Sequence, residues 1–251
     1  MKKFLKIIIV LLIIIAAILG AYAYINYRNE INPSDITNPS GDTQNNGNGL
    51  ASNVIIKDVV IENRTDNRYV DCVYPTISSF SDKEFESAIN KEIAQNIQAY
   101  INEMGYFVDE ETPATAIYSY IATYQKYTSG NYLSLVISED YQTGGIRSNK
   151  WKDIYNVNVK TEKIFYLNEL FEDDVDYEKA IIAEITRQAS EKEYELMGGN
   201  GLTKLPAKQK FYVKDDKLVI YFDPSEAAAN VYGELHFEMP FVMNESGYFE
   251  I

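Results

Sequence analysis

The chain has 251 residues and a formal net charge of −14, from 37 acidic and 23 basic side chains. So acidic a surface argues against nucleic acid as a partner, since phosphate binding needs basic groups, and favours cations or a basic protein through electrostatic steering. A single cysteine, Cys72, excludes an internal disulfide, so stability has to come from a hydrophobic core; a folded part of ~200 residues can bury one.

In chain order, the sequence opens MKKFLK and then runs uncharged from Ile7 to Ile25, a stretch of 19 residues. A spanning helix needs ~20 apolar residues. Lys2, Lys3 and Lys6 are expected to stay cytoplasmic and send the remainder outward. Two readings compete: an uncleaved anchor, favoured by the length of the run, and a signal peptide cut after Ala21-Tyr22-Ala23. No cysteine lies near Ala21, which excludes a lipid-modified cysteine there. On either reading the bulk is extracytoplasmic, as a single-pass membrane protein or a secreted one. All 37 acidic residues and 20 basic ones lie beyond Ile25, so this part carries −17.

Residues 26–53 are dominated by Asn, Gly, Ser, Pro and Thr. They offer too little apolar surface to offset ordering entropy and read as a disordered tether. The folded part is expected from Val54, in two subdomains, 54–127 and 128–251. VIIKDVVIEN and NRYVDCVYPTIS read as strands, with Cys72 as a small buried apolar group. Ser81 with Glu84 suggests a capping box. Phe85, Ile89, Ile93, Ile97, Ile101 and Met104 then form one apolar stripe of a helix ending near Gly105. AIYSYIATYQKYT and NYLSLVISEDYQ read as strands joined at Ser129-Gly130-Asn131, followed by KWKDIYNVNVKT and a turn at Thr161-Glu162-Lys163. Asp176 is placed to cap a second helix with Tyr177, Ile181, Ile185 and Ala189 on its inner face, stopped by Gly198-Gly199. In KLVIYF both alternation classes are apolar, which predicts a strand covered on both faces. Strands and helices are segregated, so the expected fold is α+β: a largely antiparallel sheet with two main helices packed on it.

Catalytic signals are sparse. His236 is the lone histidine, and alternation sets it on the opposite face from Leu235 and Phe237; one His and one Cys do not make a zinc site. EDDVDYE (172–178) has Lys179 where a calcium loop starting at Asp174 would need glycine, and reads as carboxylates at a helix N-terminus. Gly198–Gly201 lacks the Lys-Ser/Thr ending of a phosphate loop. A glycosidase needs only two carboxylates, and nothing singles out a pair. No catalytic residue, metal or cofactor is assigned. Tyr118, Tyr120, Tyr124 and Tyr141 suit either half-buried strands or a binding face.

Three segments, LSLVISEDYQTGGIRSN, IYNVNVKTEKIFYLNELF and FYVKDDKLVIYFDPSEAAANVYGELHFEMPF, together with YPTISSFSDKEFESAINKEIAQNI before them, resemble a known family. It is the extracytoplasmic domain family shared by the lysozyme-sensing anti-sigma-V factor and by certain membrane-anchored peptidoglycan deacetylases. The resemblance covers roughly Val54 to Met243. It implies a cell-envelope location and, as ligand, a lysozyme-like basic protein or peptidoglycan. Two departures stand out. Arg147 occupies the place of a frequent histidine after the glycine pair. The turn Pro224-Ser225-Glu226-Ala227-Ala228-Ala229-Asn230 lacks the family's two tyrosines and second proline. Only six residues precede the apolar run, so a cytoplasmic sigma-binding domain is not expected. SEDYQTGGIRSNKW (138–151) reads first as a hairpin corner in which Gly144 and Gly145 supply positive φ. Loops on rigid scaffolds also concentrate binding residues. The candidate contact residues are therefore Tyr141, Gly144, Gly145, Arg147 and Trp151 in this corner, with Pro224 and Glu226 in the later turn. The expected function is non-enzymatic binding of an envelope ligand; an envelope glycan hydrolase or an assembly module are the alternatives.

Overall fold

Alternating β-branched and aromatic residues build the first sheet strand by strand in the computed structural model, which describes residues 49–65, 67–106, 116–145, 148–197 and 202–251. The apolar run Ile7–Ile25, most of the expected tether, Arg147 and the glycines at 198, 199 and 201 lie outside these residues. Among the described residues no helix is long and apolar enough to cross a membrane.

Six strands form the larger sheet in chain order: β1 (Ile55–Arg64), β2 (Arg68–Ser78), β3 (Tyr118–Ser129), β4 (Tyr132–Thr143), β5 (Asn149–Asn158) and β6 (Lys163–Ile164). Only β2 and β3 pair in parallel. The crossover between them is the helix α1 (Lys83–Tyr106), in keeping with the longer connection that a parallel pair needs. Its predicted stripe packs down as Ile89, Ile93, Ile97 and Met104, all buried, with Phe85 and Ile101 half-buried. They meet Cys72, Tyr120, Ala122, Leu133, Leu135, Ile137 and Val157 on one sheet face.

The opposite face of β3–β5 is covered by a three-stranded antiparallel sheet, β7 (Phe211–Lys214), β8 (Lys217–Phe222) and β9 (Leu235–Glu238). Val136 meets Tyr212, Val219 and Tyr221 there, flanked by Tyr127 and Ile154. The other face of the small sheet, with Phe211, Val213, Leu218, Ile220, Phe222, Leu235 and Phe237, packs on the second helix α2 (Tyr177–Glu191) through Ile181, Ile185 and Ala189. The order of layers is therefore helix, six-stranded sheet, three-stranded sheet, helix. KLVIYF is covered on both faces, as its composition predicts: Leu218 through Phe222 are all buried. A short pair, β10 (Val242–Met243) with β11 (Phe249–Glu250), closes the chain. The fold is α+β, a mostly antiparallel arrangement with two helices.

Several local expectations shift. Ahead of Val54, Leu50–Asn53 form a 3₁₀ turn with Ala51 buried, its N–H donating to the Gly130 carbonyl at 3.2 Å. The division drawn between residues 127 and 128 falls inside β3. The cap of α1 is Asp82, one residue after Ser81: its Oδ1 accepts from the N–H of Glu84 (3.0 Å) and Phe85 (2.9 Å). Ser81 instead donates to Glu162, whose carboxylate also takes the N–H of Ser81 and of Asp82. Asp176 does cap α2, accepting from the Lys179 N–H. That helix ends at Glu191, and Glu193 (φ 57°), not a glycine, takes the left-handed position beyond it.

Candidate functional site

The β4–β5 corner is a tight hairpin. Its last register pair is Tyr141 opposite Asn149, and Lys150 meets its partner Asp140 at 3.3 Å. Gly144 (φ 72°) carries the left-handed conformation. The Gly144 N–H donates to the Ile117 carbonyl (2.9 Å), and an added Cβ would lie 2.9 Å from the Tyr118 hydroxyl. The Gly145 carbonyl accepts from the Gln142 amide at 2.6 Å.

Tyr141 and Trp151 point to the α1 side. Tyr100 of α1 lies against both, with ring centroids 5.8 Å from Tyr141 and 4.8 Å from Trp151. Tyr141 is a core residue and its ring is not presented to a surface partner; Trp151 is half-buried. Tyr120 and Tyr124 are also buried, and Tyr118 half-buried.

The second half of the predicted site reaches β5 through a residue that sequence reading missed. Asp223 follows β8. Its Oδ1 accepts from the Lys152 N–H (3.0 Å) and the Tyr221 hydroxyl (2.9 Å), and its Oδ2 from the Lys210 ammonium (2.5 Å). Lys210 also donates to the Lys152 carbonyl at 2.6 Å. β6 pairs with β5 only at Val157 and Asn158. The Asp223–Lys210 pair thus takes both backbone groups of Lys152 where β5 has no strand beside it, and an otherwise open edge is closed. Pro224 and Glu226 build the turn: Ser225 is left-handed (φ 68°), and the Glu226 carboxylate accepts from the Asp223 N–H at 2.9 Å. Glu226 is exposed, and Val231 beyond it is 85% exposed.

Lys152 forms an ion pair with Glu234, and the same carboxylate meets His236 Nε2 at 3.3 Å. His236 Nδ1 lies 3.2 Å from the Tyr212 hydroxyl. His236, then burial working against it and Lys152 reinforcing it, leave Glu234 pulled down to about 2. His236 is therefore half-exposed on the side away from Leu235 and Phe237, as alternation predicts.

On the α1 face one carboxyl is out of place. Glu139 stands opposite Trp151 in the register and is 3% exposed. Neither of its oxygens closes a hydrogen bond, although the Tyr120 hydroxyl and Trp151 indole face it. Burial, with Asp153 adding to it, pushes its pKa up to about 8. Glu139, Lys152 and Asp153 are charges inside strands, a signal present in the sequence. Among the described residues no group of three or more His, Cys, Asp or Glu side chains is arranged to hold a metal.

Lys152 on β5 thus meets Asp223, with Pro224 and Glu226 in the turn beyond it. Comparison with known proteins agrees with this two-part construction. Residues 61–150 match the family described as deacetylase PdaC, and residues 168–242 match a protein family of unknown function, DUF3298. No curated protein matches the chain. A DUF3298 family crystal structure from Bacteroides fragilis superposes with a TM-score of 0.54 at 13% identity, covering 74% of this chain and 90% of the other. Another, from Pseudomonas aeruginosa, gives 0.53 at 14% identity, with 76% and 93% covered. At these identities the likeness is one of fold. The chain thus carries a PdaC-like segment and a DUF3298-like segment in tandem, on a fold shared with DUF3298 family structures.

Proposed function

We propose that this protein is a membrane-tethered extracytoplasmic domain that binds a cell-envelope ligand without chemically altering it. The ligand classes are a lysozyme-like basic protein and peptidoglycan. The observation that carries the reading is the junction where the Asp223–Lys210 pair fixes the β5 edge beside the turn at Pro224–Glu226. A rigid edge with loops on it suits recognition. The charge of −17 beyond Ile25 favours a basic partner. The apolar run behind Lys2, Lys3 and Lys6 supplies the anchor and the outward orientation.

Glycan hydrolysis by paired carboxylates has one observation in its favour, the protonated character of Glu139 beside Asp153. A general acid must reach the leaving oxygen, and Glu139, 3% exposed, is covered against a ligand as bulky as a glycan. Binding is therefore the better-supported reading. The test is binding of the full chain to lysozyme at low and high salt, alongside retention on purified cell-wall sacculi. Saturable binding that survives moderate salt supports a specific partner. Binding lost at moderate salt is charge attraction alone. Absence of both lysozyme binding and sacculus retention, or release of glycan fragments by the protein, overturns the reading.

A further inference from the structure

We propose that the cluster of Glu139, Tyr100, Tyr120, Tyr141 and Trp151 is a binding site for a primary ammonium group. The cluster is built from four elements. Tyr120 comes from β3, Glu139 and Tyr141 from β4, Trp151 from β5, and Tyr100 lies over them from α1. Tyr120 and Tyr141 are register partners, as are Glu139 and Trp151. Ring centroids lie 5.5 Å apart for Tyr100–Tyr120, 4.8 Å for Tyr100–Trp151, 6.1 Å for Tyr120–Tyr141 and 6.4 Å for Tyr141–Trp151. Electron-rich ring faces of this kind attract cations.

The hydrogen-bonding inventory points the same way. Both Glu139 oxygens and the hydroxyls of Tyr120 and Tyr141 are buried without a hydrogen-bond partner in the protein. So many unsatisfied groups in one place are uncommon in a folded protein and call for an explanation. An ionised carboxylate only accepts, a phenol oxygen also accepts, and a primary ammonium brings three donors and no acceptor. A quaternary ammonium carries no N–H donor and cannot satisfy these acceptors.

The charges around the cluster favour a cation. α1 contributes Glu92 and Glu103, and β5 contributes Asp153, with Lys210 acting against them on Glu139 and Asp153. Asp223, already paired with Lys210, also bears on Asp153. Tyr155 is held by Asn96 at 2.8 Å, and Cys72 stays a neutral thiol, pushed by burial to about 12. Half-buried Tyr100, Trp151 and Asp153 mark the side from which a ligand enters.

Trp151 is the only tryptophan, so its emission reports on this site alone. Titration of the full chain with methylammonium chloride should give a saturable change that sodium chloride at equal ionic strength does not. Affinity should weaken by up to about tenfold per pH unit below pH 8, because the ligand then has to displace the Glu139 proton. Glu139→Gln should abolish the response. Tyr120→Phe, which keeps the ring and the packing, should weaken it several-fold and serves if the first variant does not fold. Tetramethylammonium should give none. A drift equal to that of sodium chloride, an equal response to tetramethylammonium, or full binding by Glu139→Gln would overturn the proposal and leave ordered water as the occupant. None of these outcomes bears on the lysozyme and sacculus test, because the inference does not depend on that partner.

Discussion

Glu139 sets the pH behaviour of the molecule at the scale of single residues. Its carboxyl moves from an ordinary value near 4.5 in the unfolded chain to about 8 in the folded protein. Below pH 4.5 both states hold the proton. Between 4.5 and 8 the unfolded chain has released it and the folded protein has not, so stability falls as pH rises through this window. A shift of this size is worth on the order of a few kcal/mol. Glu139→Gln should therefore flatten the dependence of Tm on pH between 5 and 8 and raise Tm at pH 9 by at least roughly 3 °C. Parallel melting curves for the two proteins across this range would contradict the buried charge. Glu234 runs the opposite way. His236, first, and Lys152 hold it near 2, so its contribution is present above pH 4.5 and is lost as pH falls toward 2. Gly49 is constrained by space: an added Cβ would lie 1.9 Å from the Gly130 carbonyl oxygen. Gly49→Ala should push the first turn off β3 at a cost of about 1–3 kcal/mol, read as a lower Tm and faster hydrogen exchange at the Ala51 amide.

Helix α1 and strand β8 were the most legible elements, because each carries a strong pattern that nothing in the fold opposes. The stripe from Ile89 to Met104 recurs every three or four residues, and KLVIYF is apolar on both faces. Helix ends were less legible, since they are decided by which side chain reaches which N–H. Ser81 has the right type for a cap, but Glu162, 81 residues away in sequence, takes its hydroxyl, and Asp82 becomes the cap. Asp82→Ala should then lower stability by about 1 kcal/mol, and Ser81→Ala by less. Thermal melts of the two variants decide it, and a larger loss for Ser81→Ala would restore the capping box. The candidate site was half legible for a related reason. Turn chemistry marked Gly144, Pro224 and Glu226 locally, whereas Asp223, Lys210 and Glu139 acquire their roles only when distant strands meet. Alternation gave Tyr141 a face but not what covers it, and here Tyr100 covers it.

The two family matches divide the chain near residues 150–168, yet the structure joins the two parts through a shared interior. Val136 and Ile154 on the large sheet pack against Tyr212, Val219 and Tyr221 on the small one. A polar strut runs through the same layer: the Ser134 hydroxyl donates to Asn156 Oδ1 at 2.6 Å and accepts from the Val213 N–H at 3.0 Å, while Asn156 Nδ2 donates to the Phe211 carbonyl at 2.8 Å. All are buried, so removing one member strands its partners. Ser134→Ala leaves the Val213 N–H without its acceptor and should destabilise the protein by about 1–3 kcal/mol. The loss should fall on the whole molecule. Trp151 sits on β5 just past the first matched part, whereas α2 lies within the second. Emission from Trp151 and far-ultraviolet circular dichroism should therefore trace one coincident unfolding transition, in the parent and in Ser134→Ala alike, with only the midpoint moved. Two separated transitions would mean that the layers fold independently and that the strut merely docks them.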